Sequence, residues 1–267
     1  FINWGISPVS TNGGTLEFTT LNGSPGSNGI FQATYSGAPP SPTLIRTGVL
    51  SHIAAGGGWS TVITLVNNSS AAVSVNVALH DEDGSALSLP VTSTLQGLSQ
   101  TNSTSSINGT INPKSTFLIS MGDGIPATSV GWADVLSSGP LGGFAIFRQT
   151  PQSGSPSEGT APLQSQSLTT LTLPFDDSAG FITGVALTNL ATVTANVTAT
   201  VWDDAGNQTL IQNFTIAGSG HTSFALPAQI PITANKRGIV QFQSSGGLAG
   251  LGLRFSPFGT FTSVPAM

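Results

Sequence analysis

Apolar and polar residues alternate along much of the chain. The alternation is clearest over residues 73–79, and it recurs over residues 144–146 and 251–255. A period of two is typical of strands that bury one face. Turn-forming dipeptides separate these runs: Asp83-Gly84, Ser138-Gly139, Ala205-Gly206 and Ser245-Gly246. No segment has a sustained helical period, so the pattern predicts an all-β protein of the β-sandwich type.

The sequence repeats itself once, in two blocks that keep their order. Residues 59–84 align without gaps with residues 181–206, and residues 117–148 align with residues 224–255. Such self-similarity indicates a duplicated structural unit. The first copy is longer between the blocks, and the stretch rich in Ser, Thr and Asn around residues 96–108 is predicted to be an inserted loop. Identical pairs include Thr61/Thr183, Leu65/Leu187, Asn67/Asn189, Asp81/Asp203 and Gly84/Gly206.

The repeat divides the chain into three parts. Residues 44–164 and 165–267 are predicted to form two tandem immunoglobulin-like β-sandwich modules. Residues 1–43 are predicted to form an extended N-terminal β arm that ends in a Pro-rich joint. The arm is too small to enclose a core, so its apolar residues need a partner surface on these modules or on a neighbouring subunit. These residues are Ile2, Trp4, Ile6, Leu16, Phe18, Phe31 and Tyr35.

Composition narrows the classes of protein that remain. Charged residues make up 6% of the chain, against about 25% in ordinary globular proteins. The hydrophobic fraction of 38% and the mean hydropathy of +0.21 indicate a folded core despite this low charge. An uncharged surface rich in Ser, Thr and Asn is typical of extracellular fibres and wall-exposed proteins.

Charge and residue usage exclude several functions. The net charge is −5, and the six Lys and Arg residues are scattered, which argues against nucleic-acid binding. No apolar run approaches the roughly 20 residues of a membrane span. The chain has no cysteine, so it has no disulfide and no thiolate chemistry. Phe1 suggests a processed chain, and removal of a signal peptide would explain it, with an extracellular or cell-surface location.

Five segments together resemble a known bacterial module. They are residues 52–59, 142–149, 173–176, 184–187 and 220–224. The resemblance is to a paired β-sandwich module of secreted, multidomain proteins of soil bacteria, notably Acidobacteria, where it often follows immunoglobulin-like domains. It covers about residues 44–267 and implies export and a bacterial source. It implies no activity, because the module has no assigned function and no assigned catalytic residues.

Candidate catalytic chemistry is sparse. The histidines His52, His80 and His221 each stand alone, without the short spacings that zinc sites use. We therefore expect structural or surface roles for all three. A Ser-His-Asp site is defined by geometry and stays open, but no nucleophile elbow is present. No catalytic residue and no cofactor is predicted.

Two acidic turns are the sharpest chemical feature. Asp81 and Asp83 lie before Gly84, and Asp203 and Asp204 lie in the matching turn of the second copy. Clustered carboxylates on turns suit calcium. The alternative is that Asp-Gly is simply a good hairpin turn with a soluble tip. Replacement of Asp83 by Ala205 in the second copy weakens a shared calcium ligand set.

The sequence is compatible with three functions. The favoured one is an extracellular structural subunit that self-associates into a homopolymer, such as a surface filament or layer, with the arm donated as a strand to a neighbour. The alternative is an adhesin that binds a polysaccharide, for which Trp4 and Trp202 are candidate platforms. Trp59 and Trp132 align with Phe181 and Ile239 and are predicted to be core residues. A secreted hydrolase is the third option, and we expect that the protein is not an enzyme.

Overall fold

Almost every described element of this protein is a strand. The computed structural model describes residues 16–19, 32–35, 42–122, 124–151 and 155–267. The described helical elements are α1 (Leu226–Gln229) and a 3₁₀ turn (Pro231–Thr233). The strand pairs are antiparallel, in both modules and in the N-terminal part. The predicted all-β class is confirmed.

The chain divides into two compact units, Phe1–Thr43 and Leu44–Met267. In the first unit, β1 (Leu16–Thr19) pairs with β2 (Gln32–Tyr35). The segment predicted to be one extended arm therefore contains two strands that pair with each other, because both carry the alternating pattern that a strand partner requires. Of the predicted arm residues, Leu16, Phe18 and Tyr35 lie on these strands, and Ile2, Trp4, Ile6 and Phe31 lie outside the described residues.

Module 1 (residues 44–164) consists of two facing sheets. Its strands are β3 (Ile45–Ala55), β4 (Trp59–Asn67), β5 (Val73–His80), β6 (Leu89–Leu95), β7 (Leu98–Thr104), β8 (Ser106–Ile111), β9 (Ser115–Met121), β10 (Ser129–Ser137), β11 (Gly142–Gln149) and β12 (Ser157–Pro162). One sheet has the order β3-β10-β5-β8, and the other has the order β12-β11-β4-β9-β6-β7. Alternate side chains of both sheets, such as Leu50, Ile63 and Phe117, meet in one core.

The inserted segment of module 1 is a hairpin, and the prediction of a loop there was wrong. β6 and β7 pair through a tight turn in which Gln96 and Gly97 have φ of 53° and 80°. These positive values suit the primed turns that join hairpin strands. β6 also pairs with β9 and so extends the second sheet. β7 is exposed on both faces, so no apolar alternation marks it as a strand.

Module 2 (residues 165–267) uses the same strands without the hairpin. They are β13 (Leu168–Asp176), β14 (Ile182–Asn189), β15 (Ala195–Asp203), β16 (Gln208–Ile216), β17 (His221–Ala225), β18 (Arg237–Phe255) and β19 (Phe261–Val264). The first half of β18 pairs with β13 and β15, and its second half pairs with β14 and β19. β18 thus corresponds to β10 and β11 joined into one strand.

The turn predicted at Ser245 and Gly246 does not form, since both residues lie inside β18. In module 1, Pro140 follows the matching Ser138 and Gly139. The strand is interrupted there, and β10 and β11 are separate strands. Proline has no N–H for a ladder and is excluded from strand interiors. Gly247 stands at the proline's position in module 2, so the strand continues.

The duplicated polar residues serve the scaffold. Asn67 is fully buried, and its Nδ2 donates to three backbone carbonyls while its Oδ1 accepts from Ser69 N–H. Asn189 repeats all of these contacts in module 2, with Ala191 in place of Ser69. Asparagine is therefore found at this position in both copies because the buried backbone groups around it need an amide side chain as their hydrogen-bond partner.

The structure corrects the alignment of the repeats in one strand. Phe117 pairs with Leu65, whereas Phe224 pairs with Val185, so Ile119 is the true counterpart of Phe224. By the same register His221 corresponds to Thr116. The gapless alignment holds again from Trp132 and Ile239 onward. The slip arises because module 2 places α1 and the 3₁₀ turn between the two strands concerned.

Candidate functional site at the module junction

The first outer face is the surface of the β3-β10-β5-β8 sheet that points away from the core of module 1. We define it by His80, Trp132, Asp134 and Val49, which neighbour one another in the strand register. Trp132 and Val49 are each 1% exposed, because they cluster with Ala249 of module 2. Module 2 therefore covers the outer face of module 1.

A β-bulge in β3 shapes this junction. The pairing of β3 with β10 shifts between Ile53 and Leu50, so Ser51 and His52 together lie opposite Trp132. Leu50 and Ile53 both belong to the core although they are three residues apart, which the extra residue makes possible. Ser51 and His52 are buried against module 2, and the carbonyl of Ser51 accepts from the Thr188 hydroxyl at 3.0 Å.

The first acidic turn (residues 81–84) is a contact between the modules. The carbonyl of Glu82 accepts from the backbone N–H of His221 at 3.0 Å. A Cβ added to Gly84 would approach the carbonyl oxygen of Gly218 to 2.5 Å, so the two turns touch through their backbones. Trp132 stacks on His80 with ring centroids 4.5 Å apart, and its Nε1 donates to the carbonyl of Ser219 at 2.8 Å.

An ion pair closes the far end of the junction. Arg46 holds Asp134 through two nitrogens, with Nε–Oδ1 at 2.9 Å and Nη2–Oδ2 at 2.7 Å. Its Nη1 also donates to the carbonyl of Leu190 in module 2 at 3.2 Å. Asp134 is only 7% exposed, and a bidentate arginine is the partner that a buried carboxylate requires.

Two buried histidines meet between the modules. His52 Nδ1 and His221 Nε2 lie 3.1 Å apart, and the rings stack at 5.2 Å. Only one of these nitrogens can carry the proton between them, so the accepting ring is neutral. Burial lowers the pKa of His52 to about 4, and burial with the neighbouring His52 lowers the pKa of His221 to about 3. His221 Nδ1 is buried without a described partner.

A cavity of about 260 Å³ opens beside His52. Its walls come from both modules and are mainly apolar: Trp59 and Val130 from module 1, and Val185, Phe224 and Leu253 from module 2. His52 is the titratable residue in this lining, and the hydroxyls of Thr128 and Ser223 also reach it. The described hydrogen bond of His52 is to His221, and it involves neither a carboxylate nor a hydroxyl.

Three of the predicted calcium residues, Asp81, Asp83 and Asp203, accept hydrogen bonds from groups of their own turns. Asp81 Oδ1 accepts the backbone N–H groups of Asp83 and Ser85, and Asp203 Oδ1 repeats this pattern in module 2. Hydrogen bonds from Ser85 lower the pKa of Asp83, and hydrogen bonds from Asn207 lower the pKa of Asp203. Among the described residues, no group of three or more His, Cys, Asp or Glu side chains could hold a metal ion. Calcium binding by Asp81, Asp83, Asp203 and Asp204 stays a prediction.

Trp59 and Trp132 were predicted to be core residues, and Trp4 and Trp202 were predicted to be candidate sugar platforms. Trp132 is a buried residue as expected, although it lies at the junction and not in the core of module 1. Trp59 is half-buried and packs against Phe255 and Phe261 of module 2, with ring centroids 6.5 and 5.3 Å away. Trp202 lines an open concavity on module 2 of about 610 Å³. Trp4 lies outside the described residues.

Sequence reasoning missed the junction residues. His52 and His221 were expected to stand alone, and the structure brings them into contact although they are 169 positions apart. No spacing signal could have joined them. The consecutive apolar residues of β3, over residues 48–50 and 53–55, were the available clue, since a strand at the edge of a sandwich that is apolar on both faces needs a second covering layer.

Comparisons with known proteins give no family. No protein-family model matches the chain, and no curated protein matches it. One solved structure is weakly similar: the M60 catalytic domain with the CBM51-1 and CBM51-2 domains of Clostridium perfringens ZmpB, at 8% identity and a TM-score of 0.16. The match covers 96% of this chain and 42% of that chain. In the described part of the chain, no helix has the length and apolar character of a membrane span.

Proposed function

We propose that the protein is an extracellular structural protein that assembles with copies of itself into a filament or layer. One observation carries this proposal. The first outer face is buried under module 2. Its counterpart on module 2, the second outer face (Trp202, Ile239, Gln241 and Thr172), is partly accessible to solvent, with Ile239 exposed and the other three half-buried.

The second outer face has the features of an unsatisfied contact surface. Ile239 is 40% exposed where Trp132 is 1% exposed, and Ile211 on β16, two strands away from Ile239, is 55% exposed. Trp202 stands opposite Ile239, as His80 stands opposite Trp132. Exposed apolar side chains beside a large aromatic ring favour a protein contact.

The low charge of the chain also favours assembly. With 6% charged residues, neighbouring copies can pack without strong mutual repulsion. The duplicated polar residues Asn67 and Asn189 donate to backbone carbonyls and so serve the scaffold. These features favour a structural role over catalysis.

Strand donation by the arm remains part of the proposal. The residues that would fill a neighbour's pockets include Ile2, Trp4 and Ile6, which lie outside the described residues. Deletion of residues 1–38 should reduce polymers to soluble monomers if donation is the main contact. Polymers that persist after this deletion would instead identify the modules as the assembly unit.

Polysaccharide binding is a second candidate, and it uses the same region. Trp202, Asp203, Asp204 and Arg237 line one open concavity, and this mixture of aromatic and polar groups suits a sugar ring. A glycan-binding screen of the whole chain, repeated with Trp202→Ala, tests this candidate.

Assembly is tested by sedimentation velocity and negative-stain microscopy over a range of protein concentrations. The wild type should form larger species as concentration rises, and Ile239→Lys should shift this onset to higher concentration. Ile182→Lys is the matched control, since Ile182 is 43% exposed on a strand of the same module but belongs to β14. A wild type that stays monomeric at every concentration would refute the proposal.

A further inference from the structure

We propose that the second outer face binds the turns at one end of module 1 of a second copy, with Lys114 of that copy against the second acidic turn (residues 203–206). This inference rests on the proposed self-assembly and identifies the contact. It follows from the way in which the two modules of one chain already fit together.

The intramolecular contact defines the fitting surfaces. Module 2 presents to the first outer face a set of turns that we name the second turn cluster: Leu190, residues 217–221 and Ala249. These turns provide two backbone carbonyls, one backbone N–H and one small apolar side chain. On the first outer face, Arg46 and Trp132 donate to these two carbonyls, and the carbonyl of Glu82 accepts from the N–H. The side chain of Val49 packs against Ala249.

Module 1 carries the counterpart of these turns at its own end. The first turn cluster consists of Asn68, residues 112–116 and Gly142, as the strand register dictates: Gly142 pairs with Val66 where Ala249 pairs with Thr188. Lys114 and Ser219 hold the same place, two residues beyond the carbonyl that accepts from Asn67 or Asn189. Both adopt a left-handed backbone, with φ of 56° and 54°. The two clusters therefore share a backbone shape.

The two clusters differ in exposure. In the second turn cluster, Gly220, His221 and Ala249 are buried under module 1. In the first turn cluster, Lys114 and Gly142 are exposed. Each chain therefore has one surface of each kind engaged internally, and one of each kind open.

Charge indicates that the two open surfaces complement each other. If the first turn cluster docks as the second one does, Lys114 takes the place of Ser219, which lies against the first acidic turn. On the second outer face that position is next to the second acidic turn, where Asp203 and the exposed Asp204 lie. Lys114 Nζ is exposed and donates to the carbonyl and Oδ1 of Asn68 at 2.6 and 2.9 Å, so it stands at the surface of its cluster.

The predicted contact joins two different surfaces and is therefore heterologous. The first turn cluster lies on module 1 and the second outer face lies on module 2, so each copy offers two different surfaces. A heterologous contact of this kind produces a ring or an open filament in which every module-to-module contact is similar. The contact between copies would then have the same form as the contact between the two modules of one chain.

Charge reversal tests this pairing. Lys114→Glu and Asp204→Lys should each weaken self-association by about tenfold at low salt, because each places like charges together. The double variant Lys114→Glu/Asp204→Lys should restore self-association to near the wild-type level. The measurement is the dissociation constant from sedimentation equilibrium, with circular dichroism to check that each variant folds.

Arg148→Glu is the matched control, because Arg148 is exposed on module 1 at the opposite end of its sheet. It should leave self-association unchanged. Assembly that is equally strong in Lys114→Glu and Asp204→Lys would overturn the docking inference while leaving the proposed function intact. Weakening that the double variant fails to restore would also overturn it. A wild type that never assembles would refute both.

Discussion

The two acidic turns have the same internal structure and different surroundings. In each turn an aspartate, Asp81 or Asp203, accepts backbone N–H groups two and four residues further on. The first acidic turn is packed against the backbone of module 2, whereas a Cβ added to Gly206 in the second would meet nothing within 4 Å. The duplication therefore preserved the local fold, and the contact arose on one copy.

The two outer faces show how that contact is encoded. The first has Trp132, Asp134 and a β-bulge in β3, and the second has Ile239 and Gln241 at the matching positions, with no register shift in the corresponding strand β13 beside them. The two faces thus differ in side chains that point away from the core and in the extra backbone residue of the β3 bulge. A covered face and an open face can be built on one scaffold by changing these few positions.

The largest expected contrast is between Trp132→Ala and Ile239→Ala. The first removes a fully covered indole and its hydrogen bond to Ser219, and should lower the free energy of unfolding by about 4 kcal/mol. The second removes a side chain that is 40% exposed and should cost less than about 1 kcal/mol. Urea denaturation of both variants measures the contrast. Equal losses would contradict the assignment of one face as covered and the other as open.

Acid should weaken the covered junction selectively. Above pH 6.5 the rings of His52 and His221 are neutral in both the folded and the unfolded chain. Below it, the unfolded chain binds protons that the folded pair, with pKa values lowered to about 4 and about 3, does not bind. Stability should therefore fall as pH falls, by about 2.5 kcal/mol between about pH 7 and about pH 5.5 for the two rings together.

Denaturation at a series of pH values checks this slope. His52→Gln/His221→Gln should remove most of it while the carboxylates continue to titrate at lower pH. The counterpart of His221 in module 1 is Thr116, whose side chain does not titrate in this pH range, so module 1 has no matching histidine pair. A slope that survives in the double variant would assign the effect to other groups.

The smallest contrast is between the two turn glycines. Gly84 and Gly206 have φ of 88° and 83°, so alanine costs about 1 kcal/mol at either position for backbone strain. Gly84→Ala should cost about 2 kcal/mol more, because its methyl group would collide with the backbone of residues 218 and 219. Thermal unfolding of the pair measures the difference. Identical losses would show that the first acidic turn is not packed against module 2.

The sequence pattern was informative wherever one face of a strand is buried. The alternation over β5 and the two acidic turns were predicted correctly. The second half of β18 is a strand as expected, but its residues 248–253 are buried on both faces and do not alternate. β7 was missed because it is polar on both faces, and the Ser245-Gly246 turn was predicted wrongly because the residue that follows decides whether the strand breaks. Periodicity detects burial on one side, and it is silent where both sides face solvent.

By itself, therefore, the sequence determined the strands, their duplication and the positions of the acidic turns, because these depend on local spacing and turn chemistry. Only the tertiary structure decided that Trp132 is covered and Ile239 is open, and that His52 meets His221. These facts depend on how one module lies on the other, and the interacting residues are too far apart in the chain for any periodic pattern to relate them. The candidate contact surface belongs to this second group, since it is defined by what covers one copy of the module and leaves the other exposed.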